Sequence, residues 1–181
     1  MGKSKKYGMN TKALHANKKF EPISGDIMPP LHLSTTYKND VPGESEYFYG
    51  RVNNPTRELF ERTLASLEGI DNYEEMHALA MASGMSAVSL IAELVKPGEN
   101  VVITKDVYGG TTNYFSKIVT ERGVEVNFCD FSDTEKLKSL LNDKTKLAWI
   151  ESPSNPSINL YDLSKTAEIV HENGTFLVAD S

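Results

Sequence analysis

Four short stretches combine residue types that could act together on a small anionic ligand. Ser83-Gly84-Met85-Ser86 lies between an apolar run and a helical pattern. Glycine lets the backbone approach a ligand closely, and the unpaired N–H groups of a helix start attract an anion. The competing reading is a glycine that only serves the turn. Tyr108, followed by Gly109-Gly110, comes just after another apolar run. An aromatic there could lie flat against a planar ring, at about 0.5–1.5 kcal/mol beyond area burial; a core tyrosine is the plainer alternative. Asn155 sits in Ser152-Pro153-Ser154-Asn155-Pro156, where two prolines stiffen the loop and fix where the amide points. On its own it reads as a turn asparagine. Asp180 ends the apolar run Phe176-Leu177-Val178-Ala179, and a carboxylate there is costly unless paired. A protonated pyridine nitrogen would suit it, and the pair would hold such a ring cationic, as an electron sink. A metal is the other candidate partner, but His15, His32, His77 and His171 are scattered and show no HExxH spacing. No metal site is expected. Neither GxGxxG nor GxxxxGK[ST] occurs, which weakens dinucleotide and nucleotide readings.

These stretches recur at intervals because the elements around them alternate. Apolar runs at Ala78–Ala82, Val101–Thr104, Val124–Phe128, Leu147–Ile150 and Phe176–Ala179 predict strands. Helical patterns at Met85–Val95, Thr111–Glu121, Thr134–Leu141 and Leu163–Glu172 lie between them. Pro97-Gly98 and Asn173-Gly174 read as helix exits, and Asp133 or Ser132 as a cap. Such alternation predicts an α/β fold with a mostly parallel sheet and helices on both faces. In open parallel sheets ligands bind beyond the carboxyl ends of the strands, where the four stretches fall. An earlier helix is marked by Leu59, Phe60, Leu64 and Leu67, with Gly69 as its C-cap. Before it, residues 1 to about 55 show no long period, and Pro22, Pro29, Pro30 and Pro42 interrupt any helix. An extended N-terminal arm over 1–55 is expected, followed by a large-domain portion over 56–181.

Composition narrows the partners. The chain of 181 residues carries a net charge of −6, which argues against nucleic acid or an anionic membrane. The Lys3–Lys6 cluster reads as a solvated terminus. Cys129 is the only cysteine, so no intrachain disulfide forms and a reducing, cytoplasmic compartment is expected. The stretch Met76–Val95 is too polar for a membrane span. The sequon at Asn173-Gly174-Thr175 is read as chance.

Seven blocks in order resemble the cystathionine γ-lyase and γ-synthase family, the trans-sulfuration branch of the fold-type-I enzymes that use pyridoxal 5'-phosphate (PLP). They begin with Thr11-Lys12-Ala13-Leu14-His15, Pro29 to Tyr37 and Tyr49-Gly50-Arg51-Val52-Asn53-Asn54-Pro55-Thr56. Ala82-Ser83-Gly84-Met85-Ser86-Ala87, Val107-Tyr108-Gly109-Gly110-Thr111, Trp149 to Pro156 and Leu177-Val178-Ala179-Asp180 follow. The resemblance implies PLP as cofactor, an amino-acid substrate and a homo-oligomer, dimer or tetramer. It implies that Gly84 and Met85 give N–H groups to the cofactor phosphate, and that Tyr49 and Arg51 reach the phosphate of a neighbouring subunit's cofactor. Tyr108 would stack on the ring and assist proton transfer, Asn155 would contact the ring hydroxyl or substrate carboxylate, and Asp180 would pair with the ring nitrogen. The family lysine that holds the cofactor is expected downstream of Ser181, so the 181 residues by themselves are expected to be inactive. A non-catalytic PLP- or phosphate-binding or assembly fragment is the alternative reading. Methionine γ-lyases of the family typically carry cysteine where Gly110 stands, which makes that branch less expected.

Overall fold

Strands and helices alternate as the periodicity predicts, in a computed structural model that describes residues 7–15, 25–41, 43–70 and 78–181. The Lys3–Lys6 cluster, Pro22, Pro42 and the start of the Met76–Val95 stretch, with His77, lie outside the described residues. The chain divides into two compact units, Met1–Ala80 and Met81–Ser181.

The second unit is built on four parallel strands: β1 (Asn100–Thr104), β2 (Glu125–Cys129), β3 (Thr145–Glu151) and β4 (Phe176–Asp180). Their order is β2-β1-β3-β4. The chain therefore moves outward from β1 to β2, then returns to the other side of β1 for β3 and β4. The reversal lies between β1 and β3, and it leaves a crevice at their carboxyl ends. Alternation along each strand divides the side chains between two cores. Val101 and Ile103 of β1 and Leu147 and Trp149 of β3 pack with α3 (Gly84–Ala92) and with Phe115 and Val119. Val102, Ala148 and Ile150 pack on the opposite face with Leu137 of α5 (Thr134–Leu140) and with Ile169 and Val170 of α6 (Leu163–Glu172). Each buried Val, Leu, Ile or Phe side chain among these, taken out of water, contributes about 1.5–3 kcal/mol. The expected helices on both faces are present.

Local chemistry sets the boundaries. Ser83 caps α3, its hydroxyl accepting the Ser86 N–H. Asp133 caps α5 and Asp162 caps α6 in the same way. Gly98 and Gly174 adopt positive φ where the chain leaves helices, as the turn pairs predict. The segment predicted as one helix over Thr111–Glu121 starts earlier, as α4 (Gly109–Tyr114), then widens to a π-turn over Phe115–Val119 and tightens to a 3-10 turn over Thr120–Arg122.

Ala78–Ala82 is not a strand. A strand needs a neighbour to complete its ladder of backbone hydrogen bonds, and no described segment pairs with this run. In the first unit, the segment expected to be extended contains a two-turn helix, α1 (Met9–His15), packed on α2 (Pro55–Leu67). Lys12 fastens it by donating from Nζ to the Ser66 carbonyl at 2.9 Å. Seven residues are too few to hold a helix alone, so tertiary contact decides the outcome. Helix α2 itself ends as expected, with Gly69 at φ 89°. Its apolar stripe faces outward: Phe60 is 53% exposed, while Glu58, Glu61, Ala65 and Ser66 are buried. Glu58 accepts from the Tyr47 hydroxyl at 2.5 Å and from Arg62 Nε at 2.6 Å, and Glu61 accepts the Ala80 N–H at 2.8 Å. No helix among the described residues is long and apolar enough to cross a membrane.

Candidate active site

The carboxyl edge of the sheet in the second unit brings the predicted residues into one chain of contacts. Met85 begins it, in the first turn of α3. No hydrogen bond engages the N–H groups of Gly84 or Met85 among the described residues, and open space lies where a Cβ on Gly84 would stand. That is the arrangement a helix start needs to receive an anion. A Cβ built on Gly110 would stand 2.9 Å from Met85 Sδ and 2.3 Å from Tyr108 Cε1, so the thioether and the phenol ring meet over Gly110. Tyr108 is the residue before α4, and its ring is 49% exposed at the crevice. Its N–H donates to Glu151 Oε2 at 2.8 Å. Glu151 ends β3 in register with Asp180 at the end of β4, and leads into the loop that carries Asn155, whose backbone favours the ionised Glu151 carboxylate. Gly84, Met85, Tyr108, Asn155 and Asp180 thus share one edge.

Glu151 and Asp180 lie on the α3–α4 face, two residues on from Trp149 and Val178 of that core. Burial pushes the carboxyl groups of both upward from the ordinary range, and Glu151 is raised further by the nearby Asp180. The Asp180 carboxylate makes no hydrogen bond or ion pair among the described residues. A partly buried acid without a partner, beside an exposed aromatic ring and a helix start with free N–H groups, has the donor set for a flat cationic ring bearing a phosphate. The residues present therefore fit PLP.

The loop after β3 is held from the side. Both Ser152–Pro153 and Asn155–Pro156 are cis. Asp106, from the loop after β1, accepts from Ser154 Oγ at 2.5 Å, Asn159 Nδ2 at 2.7 Å and Ser157 Oγ at 3.1 Å. These donors, Ser154 first, hold its carboxyl below the usual carboxylate range. Ile158 sits at φ 57°, a region that strains a β-branched residue by about 1–3 kcal/mol. Glu151 lies within the block Trp149 to Pro156 and Asp106 just before Val107-Tyr108-Gly109-Gly110-Thr111, but nothing in the sequence assigns either a role. Their partners are 43 to 53 residues away, visible only once β1 and β3 are neighbours. Cys129 is buried, its thiol pushed up to about 11 by burial, which makes it a poor nucleophile. No group of three potential ligands among the described residues could hold a metal ion.

Tyr49 and Arg51 belong to the first unit. Tyr49 pairs with Thr36 in an antiparallel bridge, and the Arg51 guanidinium lies 4.9 Å over the Tyr49 ring. Gly50 makes the bridge possible, because a Cβ there would stand 2.9 Å from the Ser34 carbonyl.

Residues 10–181 match the family described as Cys/Met metabolism PLP-dependent enzyme. The chain is 40% identical over 180 residues to a cystathionine beta-lyase of Coxiella burnetii, covering 98% of this chain and 45% of that one. It is 39% identical over 170 residues to a cystathionine gamma-lyase of Mus musculus, covering 93% and 42%. The crystal structure of a cystathione gamma lyase from Micromonospora echinospora superposes with a TM-score of 0.86 at 36% identity, over 97% of this chain and 45% of that one. The chain spans less than half the length of these relatives. With the parallel sheet and both helical layers in place, the fold is that of the fold-type-I PLP enzymes. The chain belongs to the Cys/Met metabolism PLP-dependent enzyme family.

Proposed function

We propose that the complete protein is a PLP-dependent trans-sulfuration enzyme acting on sulfur amino acids by γ- or β-elimination or replacement, as a cystathionine γ-lyase or γ-synthase does. The observation that carries this reading is the unpartnered Asp180 carboxylate, partly buried beside the Tyr108–Asn155 crevice. When bound, PLP supplies an electron sink for carbanion chemistry at an amino acid. Asp180 holds a proton on the ring nitrogen, because its charge balances the cation. Gly84 and Met85 hold the phosphate through their N–H groups. Tyr108 covers the ring, and its hydroxyl can carry a proton to or from the substrate. Asn155 orients the ring hydroxyl or the substrate carboxylate. Tyr49 and Arg51 serve the phosphate of a neighbouring subunit, a task suited to a guanidinium fork that binds two oxygens at once. Residues 1–55 then act as the arm and residues 56–181 as part of the cofactor-binding domain, in a cytoplasmic homo-oligomer. The test is to titrate the complete protein with PLP and assay it against cystathionine, homocysteine and an activated homoserine ester. Visible absorbance of bound cofactor and release or exchange of the sulfur group are expected; failure to bind PLP refutes the reading.

A further inference from the structure

Glu151 and Asp106 have no part in the roles above, yet each reaches into the other's loop. Glu151 is only 7% exposed, and its neighbour in register is another acid, Asp180. A carboxylate in that place is costly unless its acceptor capacity is used. It is used on the N–H of Tyr108 across the crevice, at 2.8 Å, and the backbone of Asn155 on its own side also favours the ionised form. A carboxylate presents an acceptor to the Tyr108 N–H whichever oxygen faces it, whereas an amide can turn its NH2 there instead. Asp106 makes the reverse connection. From the β1 side it gathers Ser154, Ser157 and Asn159 of the β3 loop. Two of these flank Ile158, whose side chain is 73% exposed, so burial does not offset its strained backbone. The Ile158 N–H to the Ser154 carbonyl, at 2.8 Å, and the three bonds to Asp106 hold the loop in that shape.

We propose that Glu151 and Asp106 form a reciprocal clasp across the β1–β3 crevice and are positioning residues for the cofactor ring. Glu151 ties Tyr108 to the end of β3, and Asp106 fixes the loop that carries Asn155. The assignment rests on the PLP reading. It goes beyond it, because neither carboxylate contacts the ring in the roles given above. The phosphate donors are backbone N–H groups at the start of α3, to which neither Glu151 nor Asp106 is bonded; α3 meets the Tyr108 ring through the flexible Met85 thioether. Loosening the clasp therefore separates ring affinity from phosphate affinity, which general loosening of the fold does not do.

The experiment uses the complete protein with Asp106→Ala and Glu151→Gln, the second nearly isosteric. Three quantities are measured in each: the PLP dissociation constant of the apo protein, the inhibition constant of inorganic phosphate against PLP binding, and hydrogen exchange at the amides of Tyr108 and of the non-proline residues of 154–159. The expected result is a PLP dissociation constant raised about tenfold or more, as loss of a charge-assisted hydrogen bond implies. Phosphate inhibition stays within about twofold, a few tenths of one tenfold step. Exchange accelerates at Tyr108 in Glu151→Gln and at 154–159 in Asp106→Ala. PLP affinity within about twofold of the unmodified protein in both variants overturns the clasp, as does an equal fall in PLP and phosphate affinity. An unmodified protein that binds no PLP refutes the cofactor reading instead, and unchanged exchange at Tyr108 in Glu151→Gln then still overturns the clasp. Asp106, on the surface, provides the same decision if Glu151→Gln does not fold.

Discussion

Gly110→Ala is expected to separate stability from cofactor binding. The new Cβ would stand 2.3 Å from Tyr108 Cε1, 3.0 Å from Tyr108 Cδ1 and 2.9 Å from Met85 Sδ, all closer than real contacts allow. Something must move. The Met85 thioether is the end of a flexible side chain, and the Tyr108 ring is half exposed and can turn toward solvent. The backbone has no reason to shift, and alanine in the first turn of α4 gains about 0.5–1 kcal/mol over glycine in helix propensity. Thermal stability of the apo protein should therefore change by no more than about 1 kcal/mol. The displaced ring forfeits its stacking on the cofactor, about 0.5–1.5 kcal/mol, or about 2- to 13-fold in PLP affinity. The assay is PLP titration of the apo protein by absorbance, with visible circular dichroism of the bound ring and a thermal melt of the same sample. A variant that binds PLP as tightly as the unmodified protein, with the same dichroism, refutes the placement of the Tyr108 ring against the cofactor. A large loss of stability refutes the argument that the side chains alone absorb the overlap.

Asp180→Asn should largely abolish turnover with the fold intact, because an amide cannot balance a ring cation; near-normal turnover overturns the role of Asp180. The same variant has a pH signature. Burial raises the Asp180 carboxyl in the folded state, so the folded protein binds a proton more readily than the unfolded chain and apo stability rises as pH falls through the raised value. Apo Asp180→Asn should melt above the unmodified apo protein near neutral pH, with the gap closing at acid pH; a constant gap across the titration argues against an unpaired charge. Arg51→Ala should mainly weaken cofactor retention, read as faster PLP loss on dialysis at unchanged thermal stability without cofactor. Asp133→Ala removes the side-chain acceptor for the Lys136 N–H at the start of α5 and should cost about 1 kcal/mol in urea unfolding with activity unchanged.

The parts of the fold legible in the sequence are those governed by local chemistry. Helix α6 runs over Leu163–Glu172 as its period predicts, because Asp162 caps one end and Asn173-Gly174 releases the other. The four strands fall within about two residues of the apolar runs, since a buried strand leaves a run of β-branched and aromatic residues. What depends on a neighbour is not legible in the same way. Ala78–Ala82 has the composition of a strand and no ladder partner among the described residues. Helix α1 has no period long enough to read and exists through its contact with α2. In α2, the stripe of Phe60 and Leu64 suggests the buried face, but Glu58 and Glu61 take it, because Tyr47, Arg62 and the Ala80 N–H satisfy them. The site shows the same division. Gly84, Tyr108, Asn155 and Asp180 are marked by their place after apolar runs. Glu151 and Asp106 emerge only from the strand order, which sets the loops after β1 and β3 side by side.

Strand β4 has β3 on one side, and its other edge is open among the described residues. It reads Phe176-Leu177-Val178-Ala179-Asp180, with no proline, no lysine and a single charge at its end, and Phe176 stands exposed. Natural sheets guard such an edge with a bulge, a charge or a cover. Residues 1–181 produced in isolation would present this edge to one another at every collision. A preparation of them is expected to lose material to precipitation in proportion to its concentration, through a β-rich species that nucleates on β4. A lysine at Leu177 would not cure it without opening the α6 core, whereas Ala179→Lys, on an exposed position, places a charge on the edge at little cost to packing. Recovery from the soluble fraction thus becomes a readout of strand exposure, one that needs no cofactor, no substrate and no assay of activity.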